Sequence, residues 1–124
     1  LDIKENKFTY CNAGHDQPIH IKSSECEQLL SGGIPLGFLS DFNYSASCTT
    51  LSTNDIIIIY TDGVTEAMNH EEEEYGMDNF KRIICENKTA SASDLLNILL
   101  DAINTHTKGA PQMDDITLVI LKKE

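Results

Sequence analysis

Residues 56–60, Ile-Ile-Ile-Ile-Tyr, are apolar at every position, so neither face of the strand they predict is left to water. Such a strand is expected at the centre of a sheet, covered on both sides. It runs straight into Thr61-Asp62-Gly63, which puts a carboxylate at the end of an apolar segment. Elsewhere the alternation is weaker. Lys7-Phe8-Thr9-Tyr10-Cys11 has strand composition and can pair with Leu1-Asp2-Ile3 across the polar turn Lys4-Glu5-Asn6. Residues 18–21 alternate like a short strand, and 43–51, rich in Thr and Ser, read as a half-exposed one. Asn12-Ala13-Gly14-His15-Asp16 reads as a turn. Ser31-Gly32-Gly33-Ile34-Pro35-Leu36-Gly37 reads as a loop, where glycines permit positive φ and Pro35 removes a ladder donor.

After Gly63 the period lengthens. Residues 64–69 predict a short helix and 75–87 a second, with Met77, Phe80, Ile83 and Ile84 at helical spacing. Ser91-Ala92-Ser93-Asp94 matches a capping box, and Leu95, Leu99, Ala102 and Ile103 form one apolar stripe along the helix that follows. Lys108-Gly109-Ala110-Pro111 ends that helix. Residues 116–121 then form a last buried strand, preceded by Asp114-Asp115.

The 124 residues suit a single domain, and 40% hydrophobic with 23% charged residues is a globular composition. A formal net charge of -11 sets nucleic-acid backbones and anionic membrane surfaces aside as partners. The glutamates at 71–74 are expected to be a solvated loop. Cys11, Cys26, Cys48 and Cys85 contain no C-x-x-C pair, which argues against a zinc knuckle or a thioredoxin-like motif and for reduced, mostly buried thiols. Nothing resembles a signal peptide or a bilayer span, so a cytoplasmic location is expected.

Acidic residues sit at one end of each of two apolar strands: Asp62 after 56–60, Asp114 and Asp115 before 116–121. Antiparallel pairing of those strands would bring the acidic ends together. A hard divalent cation prefers oxygen ligands and would relieve the repulsion between them. Taken alone, Asp62-Gly63 is better read as an ordinary turn pair; its match with Asp114 is what brings the metal reading level with it.

Asn12-Ala13-Gly14-His15, Gly33-Ile34-Pro35-Leu36-Gly37, Tyr60-Thr61-Asp62-Gly63-Val64-Thr65-Glu66-Ala67, Tyr75-Gly76 and Asp114-Asp115-Ile116-Thr117 occur in a telling order. Together they resemble the metal-dependent PPM (type 2C) serine/threonine phosphatases, in the bacterial SpoIIE/RsbU-like branch. The resemblance implies an α+β fold, a β-sandwich of antiparallel strands with helices packed outside. It implies hydrolysis of phosphoserine or phosphothreonine by a water activated by two Mn²⁺ or Mg²⁺ ions. Asp62 would bind metal in a position to bridge both ions, Asp114 would be a second ligand, and Asp115 would hold an additional ion or orient the others. Gly63 is expected to let the chain turn sharply into a helix, Glu66 to sit at that helix's N-terminus, and His15 to serve the turn. Substrates would be phosphorylated regulatory proteins such as anti-sigma-factor antagonists.

The family's G-G-D-x-x-D and D-x-x-G-H-G motifs do not occur in these residues, so residues 1–124 are expected to be the C-terminal portion of one phosphatase domain. By itself such a portion is expected to be inactive, to bind metal weakly and to self-associate through unpaired sheet edges. Two other readings remain open. A non-catalytic, partner-binding module is one. The other is an aspartyl-phosphate hydrolase of the haloacid-dehalogenase type, which the Asp-Gly-Val turn resembles, although Tyr60 stands where its nucleophilic aspartate would be.

Overall fold

The structure is a computed structural model that describes residues 1–23, 25–30 and 32–124. Ser31, which opens the predicted 31–37 loop, lies outside the described residues. In chain order the strands are β1 (Lys7–Tyr10), β2 (Ile19–Ile21), β3 (Cys26–Gln28), β4 (Ser47–Thr50), β5 (Ile56–Tyr60) and β6 (Leu118–Lys122). Helices α1 (Met77–Glu86) and α2 (Ala92–Thr107) lie between β5 and β6.

β5 takes the central place that its composition predicts. One sheet runs β3-β2-β5-β6, antiparallel throughout, and a second pairs β1 with β4. Alternate residues of β5 serve different layers. Ile56, Ile58 and Tyr60, with Ile19 and Ile21 of β2, meet Phe80 and Ile84 of α1 and Leu95, Leu99 and Ile103 of α2. Ile57 points the other way, into a smaller core of Leu29 and Leu51 against which Phe8, Tyr10, Ile59 and Leu121 pack. The result is α+β: a two-stranded sheet, a four-stranded sheet and a helical layer. Each fully buried Ile or Leu contributes about 1.5–3 kcal/mol, so the β5 run is a large share of what holds the layers together.

Local chemistry sets the element ends. Ser91 caps α2 by accepting the Asp94 N–H at 3.1 Å, as the capping-box pattern predicts. At the other end Lys108 and Gly109, at φ of 48° and 83°, turn the chain out of α2. α1 starts at Met77, two residues later than its apolar pattern, because Gly76 sits at φ 78°. The N-terminal hairpin is held by the Asp2 to Lys7 bridge, with Asp2 Oδ1 accepting the Lys4 and Glu5 N–H groups.

Some expectations change. Residues 64–69 are not helical: a single 3-10 turn, Asp62–Val64, is followed by a loop that folds back on itself. There the Tyr75 and Gly76 N–H groups donate to the Ala67 and Thr65 carbonyls at 2.8 Å, so those carbonyls are not free for a helix. β3, three residues of polar composition, has no apolar alternation to announce it and is held by pairing with β2. The cysteines are free but exposed, not buried; Cys48 lies beside Thr9 on β4, while Cys26, paired with Ile21, is on the helix-facing side of its sheet and lies against Cys85 of α1. The glutamates at 71–74 are exposed, as expected of a solvated run. Among the described residues no helix is long and apolar enough to cross a membrane.

Candidate metal centre

β5 and β6 are antiparallel neighbours, with Tyr60 opposite Leu118, so the segments carrying Asp62 and Asp114-Asp115 leave the sheet at the same end. Thr61 ties them. Its N–H donates to the Thr117 carbonyl at 3.2 Å, and its hydroxyl donates to the Asp115 carbonyl at 2.7 Å and accepts the Thr117 N–H at 2.9 Å. A side chain thus does part of the work of the ladder and delays the start of β6 until Leu118.

Gly63 explains why the pair must be Asp-Gly. A Cβ there would lie 2.6 Å from the Asp115 carbonyl oxygen, closer than real side chains come, and a tight 3.3 Å from the Asp114 carbonyl carbon. Its backbone needs no positive φ. The glycine is therefore required for close approach of the two acidic segments, and not, as the sequence suggested, for a turn into a helix. Glu66 likewise heads no helix; it is exposed, its N–H donating to the Asp62 carbonyl.

The carboxylates themselves are exposed and aligned by their own backbone. Asp62 Oδ1 accepts the Gly63 N–H at 2.9 Å, and Asp114 Oδ1 accepts the Asp115 N–H at 2.7 Å. Neither makes an ion pair among the described residues. Their chemistry, oxygen donors only, fits Mg²⁺ or Mn²⁺. Their number fits only a share of a two-ion site, for among the described residues no three His, Cys, Asp or Glu side chains converge to hold a metal. The backbone contact between the acidic segments is present; a closed ligand set is not.

The Asn-Ala-Gly-His motif has a structural account. The Asn12 amide donates to the His15 carbonyl at 2.7 Å and its oxygen accepts the His15 N–H at 2.8 Å, which closes the turn. Gly14, at φ 81°, packs on Pro35, and Gly33 packs on the Asn12 carbonyl, so this turn and the Gly-Ile-Pro-Leu-Gly loop are fitted to each other. His15 is exposed. Next to it, Asp16 lines a cavity of about 280 Å³ with Tyr60 and Met77. Burial first, then the Asp16 carboxylate, raises the Tyr60 phenol above its usual value.

One polar cluster escaped the sequence pattern. His20, flanked by Ile19 and Ile21, is fully buried between the sheets. Its Nε2 lies 3.1 Å from Asp55 Oδ2, and its Nδ1 lies 3.3 Å from Thr49 Oγ1 and 3.4 Å from Glu27 Oε1. The lone signal was a histidine inside an isoleucine strand, with its partners far away in sequence.

Comparison with known proteins agrees with this arrangement. The family model for Stage II sporulation protein E (SpoIIE) matches residues 1–124. The chain is 30% identical over 121 residues to Protein IcfG of Synechocystis, covering 96% of this chain and 19% of that protein. It is 26% identical over 125 residues to phosphoserine phosphatase RsbU of Bacillus subtilis, covering 99% of this chain and 37% of that protein. The fold matches the SiaA-PP2C domain of Pseudomonas aeruginosa with a TM-score of 0.85 at 14% identity, over 100% of this chain and 49% of that one. The chain thus spans well under half the length of these curated relatives and about half of the solved PP2C domain. A family match over every residue, on a PP2C-type α+β fold, means that the chain belongs to the SpoIIE family.

Proposed function

We propose that residues 1–124 are the C-terminal portion of one PP2C-type domain that hydrolyses phosphoserine or phosphothreonine on a bacterial regulatory protein, with Mn²⁺ or Mg²⁺ as cofactor. The observation that carries this reading is the contact of Gly63 with the Asp115 carbonyl, which fastens the Asp62 and Asp114-Asp115 segments at one sheet end. RsbU, a relative over nearly the whole chain, is named a phosphoserine phosphatase, which supports the same chemistry.

In this reading Asp62 and Asp114 hold the cations, and Asp115 holds a further ion or orients its neighbours. When bound, the ions supply positive charge to the phosphoryl oxygens and make a water acidic enough to act near neutral pH. The chain's own contribution is rigidity. β5 is packed on both faces, and Thr61 fixes the 115–117 segment to its end, so the carboxylates need little reorganisation to meet a cation. The net charge of -11 suits a cation-dependent site on a cytoplasmic protein and leaves nucleic acid aside.

The absence of a converged three-ligand group among the described residues favours one second reading, a partner-binding module without catalysis. Calorimetric titration with Mn²⁺ separates the two. Residues 1–124 alone are expected to bind weakly and turn over no phosphoserine peptide. The same residues within their complete domain should bind tightly, and Asp62→Asn should abolish this. A complete domain that ignores Mn²⁺ would leave the partner-binding reading.

A further inference from the structure

Beside the acidic end of the sheet lies a cavity of about 310 Å³, walled on one side by Gly63 and Asp114 and elsewhere by Ala67, Met68, Ile103 and Met113. Ile103 is buried at its base, while Met113, 76% exposed, stands at its rim. A second cavity of about 280 Å³ continues from it, sharing Met68, Ala110, Pro111 and Met113 and reaching His70 and Glu72. The two form one trough that begins at the candidate ligands and runs away from them.

We propose that this trough is a substrate subsite: the cavity next to Asp114 seats an apolar side chain adjoining the phosphorylated residue of a protein substrate, and the substrate backbone continues along the second cavity. The assignment rests on the phosphatase reading above and adds to it a class of sequence around the phosphorylated residue. Three observations favour a peptide as the occupant. The shared walls at Gly63 and Asp114 place the cavity against the acidic site, and an extended chain advances only about 3.3 Å per residue, so a residue next to one held there falls within reach. The lining continues from Gly63 and Asp114 through the shared Met68, Ala110, Pro111 and Met113 to His70 and Glu72, which suits an extended segment better than a compact metabolite. The lining carries two of the chain's three methionines, whose flexible thioethers adapt to differing apolar side chains. Glu66 and Glu72 along the walls, with the exposed glutamates at 71–74 beyond, disfavour acidic residues in the bound segment.

The test uses the full-length polypeptide that contains these residues, with Mn²⁺. Its substrates are para-nitrophenyl phosphate and phosphoserine peptides alike except for Leu, Gly or Asp beside the phosphoserine. The wild type is expected to favour Leu over Gly by about tenfold in kcat/KM, and Gly over Asp by less. Ala110→Trp, which fills the trough, should bring the Leu-to-Gly ratio to parity. Met113→Glu, an exposed rim change with little bearing on folding, should lower the same ratio. Hydrolysis of every substrate with no Leu preference, or a preference that survives both substitutions, would overturn the subsite and leave the phosphatase reading standing. No hydrolysis of any substrate, para-nitrophenyl phosphate included, would overturn both.

Discussion

Gly63 and Asp115 lie so close that a single methyl group cannot be placed between them: a Cβ on Gly63 would stand 2.6 Å from the Asp115 carbonyl oxygen. The neighbour is backbone, pinned by the Thr61 hydroxyl at 2.7 Å, and cannot swing aside as a side chain would. Gly63→Ala should therefore cost about 1–3 kcal/mol of stability, the usual range for overpacking, and push the acidic segments apart. Urea unfolding reads the first effect and Mn²⁺ affinity of the complete domain the second. An alanine variant that unfolds at the wild-type midpoint would show that the contact imposes no constraint.

A second constraint sits between the sheets. Asp55 Oδ2 accepts the Ser52 N–H at 2.9 Å as well as meeting His20 Nε2 at 3.1 Å. His20→Leu removes one hydrogen-bond partner of the buried Asp55 side chain, which should destabilise by about 1–3 kcal/mol. Adding Asp55→Asn keeps an acceptor for Ser52 while removing the charge, so the double variant should recover part of that loss. A double variant no more stable than the single one would mean that packing, and not charge compensation, governs this pair.

The link from β3 to the end of β2 should give stability a modest pH dependence. The hydrogen bond from Lys22 lowers the Glu27 pKa below its usual value, and Glu27 in turn raises that of Lys22. A depressed carboxylate stabilises fully above its unfolded value and loses this as pH falls through the folded one. A raised ammonium stabilises fully below its unfolded value and loses this as pH rises through the folded one. The pair thus stabilises between the two ranges, with a small effect because both groups are solvated. Glu27→Gln should lower the thermal midpoint slightly at pH 7 and not at all well below the ordinary glutamate range. An effect equal at both pH values would assign it to something other than this pair.

What could be read in advance divides along physical lines. Ile56–Tyr60 was legible because burial on both faces demands an unbroken apolar run, and the neighbouring acidic segments followed from its antiparallel pairing with β6. The reason for Gly63 was not, since close approach to Asp115 depends on a contact across fifty-odd residues that composition does not encode. Residues 64–69 have helix-like spacing, yet tertiary hydrogen bonds from Tyr75 and Gly76 take their carbonyls. His20 sits where alternation predicts an outward residue; a second sheet covers that face, with Thr49 and Asp55 supplying its partners. Local pattern reports local geometry, and these three misses lie where another segment changed the environment.

β6 is the outer strand of the four-stranded sheet, and Val119 on it is 52% exposed. Edge strands are commonly guarded by charge, above all by lysine. Here the nearest candidate is committed elsewhere, because Lys122 Nζ donates to the Lys88 and Ala90 carbonyls at 2.9 and 2.6 Å. An apolar edge without that guard is a template for another strand. Residues 1–124 alone should accordingly self-associate, with a weight-average mass by sedimentation that rises with concentration. Val119→Lys should shift the association to higher concentration, while the paired β5 side of the strand keeps its fold. A mass that stays monomeric across the accessible range would mean that the β6 edge is not adhesive, and an association indifferent to Val119→Lys would move the contact to another face.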